Sequence, residues 1–185
     1  IGGTQDTPSG GIENSLARLN SDGSLDSSFD RPEIGSCSAN TIAIQPDGKI
    51  ITIGNYKSND GTDNYNIARY KDDGKPDPSF IIGAGFCQIS YYYPFALQLQ
   101  TDGKILIGGS FKFFNNMVKN SLVRLNSDGT LDSTFDAGKG VGWEFGETYS
   151  SETARVICLA LQADGRVIVG GLFSSYGGTE HHSIV

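Results

Sequence analysis

Residues 41–54 read Thr-Ile-Ala-Ile-Gln-Pro-Asp-Gly-Lys-Ile-Ile-Thr-Ile-Gly. Two apolar, β-branched runs flank Pro46-Asp47-Gly48, and runs of that kind suit extended backbone. Pro at the first turn position with Gly in the left-handed one makes a three-residue loop, a type I turn closed by a bulge. The register follows: Ile44 faces Ile50 and Ala43 faces Ile51. The stretch returns at 96–109 and at 158–171. Gln45, Gln100 and Gln162 hold one place in it, and Lys49, Lys104 and Arg166 another. Self-similarity of this kind settles architecture before any single residue does.

A second kind of segment alternates with the first. It reads Ser-Leu-Ala-Arg-Leu-Asn-Ser-Asp-Gly-Ser-Leu-Asp-Ser-Ser-Phe at 15–29 and returns at 66–80 and 121–135. Arg18, Arg69 and Arg124 recur, as do Asp26, Asp77, Asp132 and Phe29, Phe80, Phe135. The same three-residue loop around Asp22-Gly23 sets Leu19 opposite Leu25 and Arg18 opposite Asp26, a cross-strand ion pair. A two-residue turn would put Arg18 and Asp26 on opposite faces.

Two hairpins per unit make four strands in a period of about 56 residues, which is the signature of β-propeller blades. The expected fold is therefore all-β, a propeller of four-stranded antiparallel blades with about three repeats, and a piece of a larger ring. The first hairpin is apolar almost throughout, as strands covered on both faces are, with small residues such as Ala43, Ala160, Gly108, Gly109, Gly170 and Gly171 where a neighbour approaches closely. The whole chain, 1–185, is one repeat array: 1–30 the end of one blade, 31–80 a blade, 81–136 a blade, and 137–185 an incomplete blade. Ile1 is in phase with Val169 and Val185 with Ala17, so the chain reads as a cut from a longer polypeptide. Three blades do not close a ring, since propellers have about 4–8. The open faces expect a neighbour, either further repeats or copies of the same chain that exchange half-blades.

These alternating segments resemble the delta-60 repeats of large bacterial proteins, and the resemblance covers nearly the whole chain. It implies a propeller within a secreted, surface or virion-associated polypeptide, and it brings no catalytic residues. The sequence departs from the pattern locally: Thr52 and Asn55 weaken the Gly-Gly end of the first hairpin, and 81–95 and 137–156 are expanded.

Composition narrows the partners. With 14 Lys+Arg against 21 Asp+Glu the net charge is −7, so no field attracts nucleic-acid phosphates or an anionic membrane. No apolar run nears the roughly 18 residues of a spanning helix. The 25 glycines, about twice the usual ~7%, fall in regularly placed clusters and read as turns. Cys37, Cys87 and Cys158 lack metal-ligand spacing. They read as small buried or loop residues, with a Cys37–Cys87 bridge as the alternative.

Candidate chemistry is sparse. Asn20, Asp22 and Asp26 have some of the spacing of a calcium loop, but Arg18 stands where a first ligand belongs and no bidentate Glu follows. Asp before Gly needs no metal, because its carboxylate bonds the local backbone. His181 and His182 are neighbours, which would point to opposite sides of a strand, and they lack the His-Glu-x-x-His spacing. No base is evident for a Ser or Cys nucleophile. No metal, cofactor or catalytic residue is expected.

The expanded segments hold the functional lead. Tyr91 and Tyr93, in Ile89–Phe95, and Trp143 and Phe145, in Gly140–Gly146, each precede the first strand of a blade. Phe113 lies in Phe111–Asn116, which joins the two hairpins of one blade. Loops that depart from a repeat are where binding is built, and Tyr and Trp offer flat apolar area with a polar edge. Packing between blades is the other reading of the same aromatics. The expectation is a non-enzymatic binding or structural module of an extracellular or virion surface protein, an adhesion-type part that holds glycan or protein through aromatic loops. A carbohydrate-active enzyme with an acidic pair in the channel, or a pure self-assembling scaffold, is the rival.

Overall fold

The computed structural model describes residues 2–6, 12–30, 38–57, 63–86, 94–142, 154–180 and 185. Among them there is no helix, and the strands pair antiparallel in small sheets. The chain divides into two compact units, Ile1–Phe80 and Ile81–Val185.

In the first unit β1 (Gly2–Asp6) pairs with β2 (Ile12–Leu16), and β3 (Ser38–Ile44), β4 (Ile50–Lys57) and β5 (Asp63–Tyr70) form a sheet in that order. Ile44 lies opposite Ile50 and Ala43 opposite Ile51, the register expected from the turn. The Gln45 N–H donates to the Lys49 carbonyl at 2.8 Å and the Gly48 N–H to the Gln45 carbonyl at 2.9 Å. Gly48 sits at φ 84°, a left-handed conformation that glycine adopts without steric cost. Leu16, Phe29, Ile50 and Tyr70 form a core with Ile42 and Ala68 packed against it. Thr52 is buried in the middle of β4.

In the second unit β6 (Pro94–Leu99) pairs with β7 (Ile105–Gly109). A short hairpin follows, β8 (Phe113–Phe114) and β9 (Met117–Val118), and β10 (Leu122–Leu125) then returns along β7. The next repeat gives β11 (Val141–Gly142), β12 (Arg155–Leu161), β13 (Val167–Leu172), β14 (Ser175–Tyr176) and β15 (Thr179–Glu180). β12 pairs with β13, and β11, β14 and β15 form a second small sheet. β12 packs across β6 and β7, so that a Cβ on Gly108 would run into the side chain of Val156. Leu122, Val141, Val156, Val169 and Phe173 form the core there. This is the close approach that the small residues of the first hairpin foretell.

Two features differ from the sequence reading. The second strand of each second-kind hairpin is reduced to one bridge: Leu19 with Leu25, Tyr70 with Pro76, Leu125 with Leu131. The cause is local. Asp26, Asp77 and Asp132 each accept the backbone N–H two residues on, which turns the chain out of the ladder, and Pro76 has no N–H to offer. The other difference concerns cover. On β12 and β13, Ile157, Cys158, Ala160 and Ile168 are exposed rather than covered.

Candidate functional site

The repeated residues meet in one cluster per repeat. The Arg69 Nε donates to Asp77 Oδ2 at 2.9 Å, and its two Nη groups to Gln45 Oε1 at 3.3 Å and Ser79 Oγ at 3.1 Å. Asp77 Oδ1 accepts from the Ser79 N–H and hydroxyl, and Lys49 Nζ stands 3.5 Å from Oδ2. The next repeat has the same set. Arg124 Nε donates to Asp132 Oδ2 at 2.7 Å, Lys104 Nζ to the same oxygen at 2.8 Å, and the Thr134 N–H and hydroxyl to Oδ1. The guanidinium lies over Phe80 in the one repeat and Phe135 in the other, each 4.7 Å from the ring centre, a cation–π contact that fixes its plane. Arg18, Asp26, Ser28 and Phe29 form the same arrangement. There the second Arg18 nitrogen donates to the Asp72 carbonyl instead of a glutamine.

These carboxylates are held ionised. The Ser28 hydroxyl and N–H, then Arg18, bring Asp26 down to about 2. Burial raises Asp77, but the hydrogen bonds from Ser79 and the charges of Arg69 and Lys49 outweigh it and bring it to about 2. Lys104, then Thr134 and Arg124, hold Asp132 far below the ordinary carboxylate range. A group so placed is no proton donor near neutral pH. The sequence foretold the Arg–Asp pair. It also carried the recurring Gln, Lys, Ser/Thr and Phe, but only the folded register shows that all of them converge on one Arg–Asp pair, Lys and Ser/Thr on the carboxylate and Gln and Phe on the guanidinium.

The Asp-Gly turns behave as turn chemistry requires. Asp22 Oδ1 accepts from the Ser24 N–H and hydroxyl, and Asp47, Asp73, Asp102, Asp128 and Asp164 accept the same backbone N–H two residues on. In the segment first weighed as a calcium loop, the carboxylates of Asp22 and Asp26 are engaged by Ser24, Ser28 and Arg18.

Of the aromatic candidates, Phe113 lies on β8, half-buried and paired with Val118, with Lys112 Nζ 5.6 Å from its ring centre. Tyr91, Tyr93, Trp143 and Phe145 lie outside the described residues, as do Cys37, Cys87, His181 and His182. Cys158 is an exposed free thiol. The segment read as a joining loop is a hairpin. Asn115 and Asn116 form its two-residue turn at φ 50° and 62°, the twist that suits tight hairpins. Asn115 Oδ1 accepts from the Gly85 N–H at 2.8 Å, and the Phe86 ring meets Phe111 at a tilt and Phe114 edge-on, with ring centres 4.7 and 5.0 Å apart. The tip exposes Met117 and Val118. The counterpart hairpin of the next repeat, with Gly177-Gly178 at its turn, carries Ser175, Thr179 and Glu180 in place of Phe113, Met117 and Val118. Sequence reasoning passed over Met117 and Val118, although the comparison of the two repeats contains the signal.

No curated protein and no solved structure matches the chain. A family model described as a domain of unknown function (DUF5122), β-propeller, matches residues 1–29, 45–80, 100–135 and 162–185. The matched segments are those that build the Arg–Asp clusters and the hairpins feeding them, and they make up well over half of the sequence; the chain belongs to the DUF5122 β-propeller family.

Proposed function

We propose that the chain is a non-enzymatic binding and structural module: repeats of the delta-60 type, about 56 residues each, forming four-stranded propeller blades of an extracellular or virion surface protein. Its partner is a glycan or a protein, held by the segments that depart from the repeat. The observation that carries this reading is the division of labour between residues. The polar residues that recur are occupied with one another inside each blade, and their carboxylates are locked in the charged form. What differs from repeat to repeat is the hairpin tip, apolar at Phe113, Met117 and Val118 and polar at Ser175, Thr179 and Glu180. Tyr91, Tyr93, Trp143 and Phe145 belong to further segments of that divergent kind.

Array binding against glycans and against surface-protein extracts tests the reading. Phe113→Ser with Met117→Thr and Val118→Glu copies the polar tip of the sister hairpin and leaves the clusters untouched. Binding that falls tenfold or more in this variant, or in Trp143→Ala, supports the proposal. A hydrolysed glycan product, abolished by one Asp or Glu substitution, would replace it with the enzymatic alternative.

A further inference from the structure

We propose that the β8–β9 hairpin docks an extended segment of a partner protein in which acidic and aliphatic residues alternate. The inference rests on the binding-module reading above and narrows its partner from a glycan or a protein to an acidic polypeptide.

Charge marks the hairpin. Arg18, Lys49, Arg69, Lys104, Arg124 and Arg166 each meet an aspartate. Lys112 and Lys119 flank β8 and β9, and the Lys119 N–H donates to the Lys112 carbonyl at 2.8 Å, so the two lysines stand opposite each other across the strands. Like charges in that position repel. Among the described residues no carboxylate pairs with either of them, although the chain carries a net charge of −7. A third lysine, Lys139, stands at the base of the hairpin, where its carbonyl accepts from the Asn120 carboxamide at 2.8 Å. The sister hairpin has Ser174 and His181 in the places of Lys112 and Lys119.

The outer strand is open. Met117 and Val118 form β9 and are 48% and 55% exposed. Hydrogen bonds along an antiparallel pair alternate. Phe114 and Met117 close the two-residue turn, and Lys112 and Lys119 are the next bonded pair. Val118 lies between them and turns its N–H and C=O away from β8. Phe86 bridges Phe114 on the other side of β8, which leaves β9 as the free edge among the described residues. A peptide added there as a strand takes backbone bonds from Val118, aliphatic contact from Met117 and Val118, and cations for its carboxylates.

The hairpin is fixed before any partner arrives. Phe114 is fully buried, Asn115 holds Gly85, and the Ser121 hydroxyl donates to the Ala154 carbonyl at 2.9 Å. Every non-glycine residue with a left-handed φ among the described residues belongs to this hairpin or its base: Asn115, Asn116, Asn120 and Ser121. Strain of this kind persists where the surroundings over-determine the backbone, and it collects at functional sites. A pre-ordered site also loses little entropy on binding.

The chemistry of the tip selects the occupant. Sugar faces suit an open aromatic ring, whereas Phe113 is half-buried with Lys112 Nζ over it, and the open groups are aliphatic. An anionic membrane would face the whole acidic chain, while the field of the lysines is screened within about 10 Å. A narrow strand of alternating carboxylates and aliphatic groups reaches the lysines and the free edge together.

A display library of random octapeptides tests this, selected against the 185-residue chain and separately against Lys112→Glu with Lys119→Glu. The enriched peptides are then titrated by fluorescence anisotropy. The first selection is expected to give Asp or Glu alternating with aliphatic residues, and the second to give Lys or Arg in the acidic places. The double reversal weakens the first peptides by roughly tenfold or more. Lys71→Glu, an exposed reversal elsewhere, leaves them bound, and bound peptide protects the Val118 amide from hydrogen exchange. Enrichment without the acidic pattern, or binding that the double reversal leaves unchanged, overturns the proposal. If oligogalacturonate or phosphatidylserine vesicles bind through these lysines and no peptide is enriched, the protein partner falls and the binding module stands. If the double reversal is silent while Trp143→Ala lowers glycan binding, this site falls and the module again stands. If peptides, glycans and vesicles all fail to bind, both readings fall.

Discussion

At the scale of the residue, the recurring aspartates differ in burial, and burial decides what each contributes. The Asp132 side chain is 4% exposed and faces two cations, Lys104 and Arg124. Removing its charge leaves both cations in a part-buried site without their acceptor. Breaking a buried pair costs about 3–5 kcal/mol, and the partial exposure of Lys104 and Arg124 moderates this. Asp132→Asn is therefore expected to lose about 2–4 kcal/mol in urea unfolding. Asp26→Asn loses clearly less, because Arg18 stands in solvent, where ion pairs count for little. Equal losses at the two sites would show that the cluster is not ranked by burial. The Arg–Asp pair was legible because a three-residue turn fixes which residues face each other. The glutamine and lysine come from the other hairpin, some 24 to 28 residues away, and a turn rule does not reach across hairpins.

At the scale of the element, the three first-kind hairpins share more than their turn. Each has a bulge near the start of its first strand, between Ala39 and Thr41, Pro94 and Ala96, and Val156 and Cys158. The alternation of side chains gave no sign of it, because a bulge adds a residue without changing composition. The close approach of the next sheet was legible, since Gly108 is small where Val156 arrives. Gly108→Ala forces Val156 out of its place and is expected to cost about 1–3 kcal/mol. Gly108→Ala combined with Val156→Ala should recover part of that loss, which a double-mutant cycle of unfolding free energies measures. The β8–β9 turn gives the opposite sign. Asn116 sits at φ 62°, where the sister hairpin uses Gly178, so Asn116→Gly relieves left-handed strain and is expected to stabilise by roughly 0.5 kcal/mol. Asn115 must stay, since its carboxamide holds Gly85.

At the scale of the whole molecule, two electrostatic effects of opposite sign act as the solution is acidified. The chain carries a net charge of −7 and has a pI near 4.7, so lowering the pH from 7 removes self-repulsion and favours the folded chain. Against this stand the cluster carboxylates. Asp26 and Asp77 have folded values of about 2, and Asp132 is held lower still, whereas an unfolded Asp titrates near ~3.9. A carboxylate depressed by folding stabilises fully above its unfolded value, and the contribution is lost as pH falls toward the folded one. Below about pH 4 the unfolded chain binds protons that the folded clusters refuse, and stability drops. The two effects together place the maximum of the thermal midpoint between about pH 5 and 6, with a steep fall from pH 4 to 2. Asp77→Asn lowers the whole curve and flattens its acid limb, because one of the groups responsible for the slope is gone. A midpoint that keeps rising to pH 3, or an unchanged acid limb in Asp77→Asn, would show that charge repulsion alone sets the pH response.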